Sequence, residues 1–391
     1  MKKTGLILGL FAILAVSVIS STDIPRGYAV QPSPMGSPEI RALWMVPRLI
    51  FDADPEKGKI QIREYVQKMA NAHFNTLLVE MPSDYIAALT DERYQKAIPI
   101  TKWDALGELI NFAHEVGLQV HLWYSFTDYK SPRSPEFNPL HNGNPKWAAV
   151  QIKERMEPNK ERPKRMSVLC PLNPDARRWE LGLLEQVIKR YPLLSGIHIE
   201  EPGYSGHGEC VCDLCLKLFQ EIYGTAGLPE TNSPQAEDLK CLGTTDFIRN
   251  LRIKIKALNP GMLLSVNGGY SWQMDRPLGR NWKQWAELKW LDFYTPQIYT
   301  TDAYKFRSNA QDTVYALGND CPVIPGIAVK WGPKERNVNS VETVLREIDL
   351  ARQAGARGVV IYKDEFLTNE YLSALKSGPF KDKVPFPKFG K

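Results

Sequence analysis

From residue 40 onward the chain alternates short β-rich apolar runs with amphipathic segments, and it does so eight times. Parallel strands need a crossover between them, and a helix-sized amphipathic segment after each run is the pattern that supplies one. The strand-like runs fall at 41–46, 75–81, 118–125, 196–201, 263–267, 291–299, 322–329 and 358–363. Apolar runs alone do not separate a strand from a buried helix, so the helix signals between them matter. Asn173 can cap a helix with Pro174 at its first position; Trp179, Leu183, Leu184, Val187, Ile188 and Tyr191 then recur at three-to-four spacing. Ser340 can cap another, with Val341, Val344, Leu345 and Ile348 as its buried stripe and Gly355 as a left-handed stop. A chain of 391 residues, 43% hydrophobic and 24% charged, can bury one large core. The expected fold is a single α/β domain, a (β/α)8 TIM barrel with long loops after strands three and four.

The ends read differently. Lys2 and Lys3 precede an apolar run over 5–19, which is short for a membrane span and right for the hydrophobic part of a signal peptide. The expected organisation is a signal peptide over 1–29, a Pro/Ser/Gly-rich linker over 30–39, the barrel over 40–378 and a Pro/Lys-rich, disordered tail over 379–391. Export to the periplasm, cell surface or medium follows, with no membrane insertion beyond that first segment. The formal charge of +5 falls to +3 without Lys2 and Lys3. The densest basic stretch, 153–164, is interleaved with Glu154, Glu157 and Glu161 and carries no aromatics, so a nucleic-acid partner is not expected.

In such a barrel the loops leaving the strands' C-terminal ends carry the chemistry. Residues 195–204 read SGIHIEEPGY, so Glu200 and Glu201 arrive where strand four opens into the mouth. Cleaving a glycosidic bond needs an acid to protonate the leaving oxygen and a second group to attack or stabilise the cationic centre, and Asp/Glu pairs commonly serve both. Glu201 is the expected general acid/base, with Glu200 orienting it. Neighbours on a strand point to opposite faces, so the two do not stand across a sugar from one another. The facing carboxylate comes from Glu80, Asp84, Asp128, Asp302, Asp364 or Glu365, or is replaced by an acetamido group of the substrate. A strand-end glutamate that merely pairs with a nearby Arg or Lys is the structural alternative.

Other strand ends offer Glu80, Trp123, Tyr124, Asn267, Tyr270, Gln297, Tyr299, Lys330, Trp331, Lys363 and Asp364. Sugars suit such a lining, their C–H faces against rings and their hydroxyls on directional polar groups. Trp179, Trp285 and Trp290 fall on helices and are expected in the core, as His121 and His198 are inside strands.

Cys210, Cys212 and Cys215 put three thiols in one tight loop, with Cys170 at the lip of the same face. Tetrahedral zinc accepts four thiolates, so a structural Zn2+ held by Cys170, Cys210, Cys212 and Cys215 is expected, with no organic cofactor. His207 or Cys241 could instead be the fourth ligand, or Cys241 could form a disulfide with one of the cluster.

Several stretches together resemble the glycosyl-hydrolase-like family 10 proteins, the domain of unknown function 187 group: RALW at 41–44, FNT at 74–76, AHEVGLQVHLW at 113–123, GIHIEE at 196–201, PQIY at 296–299 and ARQAGARG at 351–358. That resemblance implies a (β/α)8 barrel in an exported bacterial protein that hydrolyses glycans, cell-wall glycan strands among them. The family more often carries a pair of aspartates where Glu200 and Glu201 stand. A second, local resemblance is to the β-galactosidases of glycoside hydrolase family 42. There the strand-four acid/base glutamate is followed by a CxCxxC zinc loop completed by an earlier cysteine. Glu201, Cys210, Cys212, Cys215 and Cys170 fit that layout, whereas Glu200 replaces the expected Asn and 323–329 lacks the nucleophilic glutamate. The expected function is therefore hydrolysis of an extracytoplasmic oligo- or polysaccharide. The competing reading is a carbohydrate-binding barrel without catalysis, and a metal-dependent amidohydrolase is disfavoured because strand one has no His-x-His pair.

Overall fold

A computed structural model of the chain describes residues 36–47, 51–81, 83–89, 103–126, 145–150, 169–204, 210–225 and 233–389. The expected signal segment, most of the linker, the basic stretch 153–164, Asp128 and His207 lie outside these residues, as does the side chain of Asp84. Among the described residues no helix is long and apolar enough to cross a membrane.

The strands are β1 (Ile40–Met45), β2 (Thr76–Glu80), β3 (Gln119–Ser125), β4 (Gly196–Glu200), β5 (Leu263–Gly268), β6 (Phe293–Pro296), β7 (Gly326–Ala328), β8 (Lys330–Trp331), β9 (Asn337–Val338) and β10 (Gly358–Tyr362). Eight of them form one parallel sheet in the order β6-β5-β4-β3-β2-β1-β10-β7. Its two edges meet: Tyr294 N donates to Pro322 O at 2.9 Å, Ile324 N to Tyr294 O at 2.8 Å and Ile298 N to Gly326 O at 3.2 Å. The expected (β/α)8 barrel is thus the observed architecture. The seventh strand is shorter than the run 322–329 because Pro322 and Pro325 have no N–H to give a ladder. The antiparallel pair β8–β9 that follows it was not legible as a strand pair.

Alternation along the strands builds two cores. Ile40, Ala42, Trp44, Leu78, Trp123, Phe293, Ile324 and Val360 fill the barrel interior. The alternate positions, among them Leu43, Met45, Leu77, Val79, Leu122, Tyr124, Ile197 and Ile199, face the helices. Two of the helices start at the caps the sequence supplies. Asn173 accepts from Asp175 N and Ala176 N at the head of the helix Pro174–Arg190, and Ser340 accepts from Thr343 N at the head of Val341–Gln353. Trp285 is fully buried and Trp179 and Trp290 pack against the same core. Burying a large apolar side chain of this kind stabilises the fold by about 1.5–3 kcal/mol.

The tail corrects an expectation. Rather than trailing away, it wraps the N-terminal end of the barrel: Arg41 Nη1 donates to Asp382 O and Arg352 Nη2 to Pro379 O, both at 2.7 Å. Phe380 is fully buried, 5.4 Å from Phe74 ring to ring, and Phe386 and Phe389 pack on the inner core. Its prolines and lysines gave the tail a disordered composition, but three phenylalanines supply the apolar surface that fixes it.

Candidate active site

Gly196, His198 and Glu200 share the inward face of β4. His198 is fully buried among Trp44, Phe293 and Ser265, so Glu200, two residues on, points into the barrel one layer nearer the mouth. Three donors meet its carboxylate, from β3, β5 and the residue after β6: Trp123 Nε1 at 2.5 Å, Asn267 Nδ2 at 2.5 Å and Gln297 Nε2 at 3.2 Å. Burial and the neighbouring Glu201 push its proton affinity up to about 7, against the pull of those hydrogen bonds.

Glu201 takes a different course. Its backbone is left-handed, with φ of 33°, so the chain turns off the strand at this residue. The side chain is 36% exposed and accepts from Arg280 Nη2 at 2.9 Å. Its amide donates to Asn267 Oδ1 at 2.6 Å, which fixes the amide orientation that lets Asn267 Nδ2 reach Glu200. Glu201 is thus the strand-end glutamate held by a basic neighbour, whereas Glu200 has no cationic partner among the described residues.

Arg280 and its second partner, Asp275, were not singled out from sequence. They sit in the irregular excursion after β5, where Arg280 Nη1 reaches Asp275 Oδ1 at 3.3 Å. Tyr362 was also missed as a lining group, and Trp44 lies in the core beneath it. Tyr299 stacks on Tyr362 at 5.3 Å and lies 6.5 Å from both Trp44 and Trp331. The Tyr299 hydroxyl and Trp44 Nε1 are buried and have no hydrogen-bond partner among the described residues. Burial, then the charge of Glu200, hold the Tyr299 proton firmly. Tyr362 likewise keeps its proton, through burial opposed by Lys363 and then through the charges of Glu200, Glu80 and Glu365.

The remaining expected site residues divide. Glu80 ends β2 on the inward face and acts on Tyr362 together with Glu200. Lys330 and Trp331 lie on the β8–β9 pair at the mouth, Lys330 with its ammonium 5.4 Å from the Phe366 ring. Lys363 is ion-paired with Glu365, which removes Glu365 as an unoccupied second carboxylate. Asp364 is buried, accepts from Val46 N at 3.1 Å and Tyr65 OH at 3.2 Å, and is pushed up to about 6 by burial. Asp302 caps the helix Ala303–Leu317. Tyr124 is a correction: it is fully buried in the outer core, where its hydroxyl meets Glu180, because it has the parity of Leu122 and not of Trp123. Tyr270 is 36% exposed.

Beside the mouth, Cys170, Cys210, Cys212 and Cys215 place their sulfurs within 4.8 Å of one another. Cys170 and Cys215 are 3.4 Å apart, Cys212 and Cys215 3.5 Å, and Cys212 and Cys170 3.8 Å. Four ligands at a zinc–sulfur distance of about 2.3 Å on a tetrahedron stand about 3.8 Å apart, so the set fits a metal of that size. Cys241 lies outside it, its thiol 3.6 Å from Arg276 O, and all six cysteines are free thiols.

Comparison with known proteins agrees with this architecture. The sequence matches the family described as glycosyl hydrolase-like 10 over residues 39–341. It is 24% identical to glycosyl hydrolase DigH of Escherichia coli K12 across 50% of this chain and 46% of that protein, and equally to DigH of Shigella flexneri. The chain thus spans about half the length of the curated relatives it matches. In structure it is similar to the glycoside hydrolase domain of PgaB (BpsB) from Bordetella bronchiseptica, with a TM-score of 0.65 and 15% identity, covering 90% of this chain and 100% of that one. It is also similar to a β-galactosidase from Bacillus circulans sp. alkalophilus, with a TM-score of 0.60 and 15% identity, covering 84% of this chain and 50% of that one. At such identities the structural likeness speaks to the fold.

Proposed function

The chain belongs to the glycosyl hydrolase-like 10 family, and from that premise we propose that it is a glycoside hydrolase in which Glu200, not Glu201, donates the proton to the departing oxygen. One observation carries this reading. Glu200 sits at the inner rim of the mouth, among hydrogen-bond donors and rings, with its proton affinity raised to about 7, so it can be protonated and still give the proton up near neutrality. Trp123, Asn267 and Gln297 hold the carboxyl in place. Glu80, which shares Tyr362 as a neighbour with Glu200, is the second carboxylate best supported by position. Tyr299, with its unpartnered hydroxyl, and Trp331 suit the ring and hydroxyls of a sugar.

The substrate in this reading is an extracytoplasmic polysaccharide or cell-wall glycan. Lys2, Lys3 and the apolar run over 5–19 support export. The four-cysteine set is read as a structural zinc site: zinc bound there would tie the loop carrying Cys170 to the loop leaving β4 and so shape one lip of the mouth. A carbohydrate-binding barrel without catalysis is the second reading, favoured by Asp302, Asp364 and Glu365 each being held in other contacts.

The test is release of reducing ends from a panel of bacterial polysaccharides and peptide-free cell-wall glycan strands. Wild type should release them. Glu200→Gln should bind the same polymer and release none. Binding without release by the wild type, across the panel, would establish the second reading instead.

A further inference from the structure

Arg280 lies in a stretch with no sequence signature, yet its position is fixed from several sides. Tyr204 N donates to Leu278 O at 2.8 Å, which docks the excursion after β5 onto the exit of β4. Gly203 permits that approach: a Cβ there would stand 2.3 Å from Leu278 O and 3.1 Å from Arg280 Cγ. Behind the arginine, Thr244 Oγ1 donates to Gly279 O at 2.5 Å, and the buried Trp282 follows two residues on. The guanidinium side chain is 7% exposed and bridges Glu201 at 2.9 Å and Asp275 at 3.3 Å. Asp275 accepts in turn from Gly269 N at 2.6 Å, Trp282 Nε1 at 2.8 Å and Tyr294 OH at 3.3 Å. So much structure behind one cation is more than a surface ion pair requires, since exposed pairs contribute about 0–1 kcal/mol.

We propose that Arg280, braced by Asp275, is a positioning residue that holds the Glu201 carboxylate away from the centre of the mouth and offsets its charge. Two adjacent carboxylates thereby take separate duties, Glu200 carrying the proton and Glu201 a fixed, compensated charge. The duty given to Glu200 rests on the reading of the preceding section, but the electrostatic coupling does not. Among the described residues, the titratable groups around Glu200 are Glu201 on its own strand exit, Tyr299 after β6 and Tyr362 of β10, with Glu80 also acting on Tyr362. Those bearing on Arg280 are Glu201, Asp275 and Tyr294. Burial and then Glu201 already raise Glu200 while Arg280 is in place. Without the guanidinium, the like charge next door acts at full strength and raises it further.

The experiment is a pH titration, by NMR, of the full chain carrying 13C at its glutamate carboxyls, with the Glu200→Gln spectrum identifying the Glu200 signal. Arg280→Met is expected to move that midpoint up from about 7 by about one pH unit. Arg280→Met combined with Glu201→Gln should return it to the wild-type value or below. An unchanged midpoint in folded Arg280→Met, or a rise that persists in the double variant, overturns the proposal and leaves Arg280 a packing role. Should Arg280→Met not fold, Glu201→Gln alone decides: a fall in the Glu200 midpoint of less than a unit is expected, because Arg280 offsets part of that charge, and a fall of a unit or more overturns it. Hydrolysis by Glu200→Gln is read separately. If it persists, the assignment of Glu200 as the acid fails while the titration result stands.

Discussion

The two ends of the barrel are built from the same strands and bury polar side chains within two residues of each other, yet they treat those groups in opposite ways. At the closed end His121 and His198 are fully buried, with Phe293 beside both and Phe386 over His121. Burial holds both rings neutral, His121 down to about 3 and His198 well below its usual value, so neither changes charge under mild conditions. One step up β4, burial acts on a carboxylate instead, and Glu200 is raised to about 7. The same desolvation that removes a histidine from proton chemistry near neutrality brings a glutamate into it. Phe386 and Phe389 of the tail cover one end, while toward the other the buried Tyr299 hydroxyl and Trp44 Nε1 have no hydrogen-bond partner among the described residues.

The largest expected effect is at the mouth. Glu200→Gln should lower kcat by about 10²–10⁴-fold with the thermal unfolding transition intact, whereas Glu201→Gln should cost far less, because its carboxylate is committed to Arg280. Equal losses in the two variants would erase the distinction drawn here. Next comes the lip. Cys215→Ser, or a strong chelator, should lower stability by on the order of several kcal/mol if the four thiols hold zinc, with zinc content falling in parallel by elemental analysis. Smaller effects belong to the closed end. Phe386→Ala with Phe389→Ala should cost about 1–3 kcal/mol in denaturant unfolding, since both rings are only half-buried, and should leave KM unchanged. Stability should also fall as pH drops from about 6.5 toward the folded His121 value of about 3. In that window the unfolded chain takes up protons that the barrel refuses. A flat acid limb in urea titrations would show that these rings are not shielded.

Much of this contrast is legible in the amino-acid sequence, and the rest is not, for identifiable physical reasons. The strand and helix alternation fixed the barrel, and the caps at Asn173 and Ser340 appear where their side chains demand. The cysteines converge because three of them share one loop. The roles of Glu200 and Glu201 were not separable, since strand parity says which residue faces inward only if the strand ends after Glu200. The left-handed turn at Glu201 is a backbone event with no glycine to announce it. Strict alternation was available for Tyr124, which shares the outward parity of Leu122, and it outweighs the ring's aromatic character. Arg280 and Asp275 come from an irregular segment whose position depends on contacts of its carbonyls with the Tyr204 amide and the Thr244 hydroxyl, so nothing local to them signals the mouth.

The most direct test of the central claim is the pH dependence of kcat/KM on whichever glycan the wild type cleaves, compared with Glu200→Gln and Glu201→Gln. An alkaline limb centred at about 7 that survives in Glu201→Gln and is absent from the residual activity of Glu200→Gln is the result expected. A limb that survives in Glu200→Gln and vanishes in Glu201→Gln would return the proton to the ion-paired carboxylate and contradict the assignment.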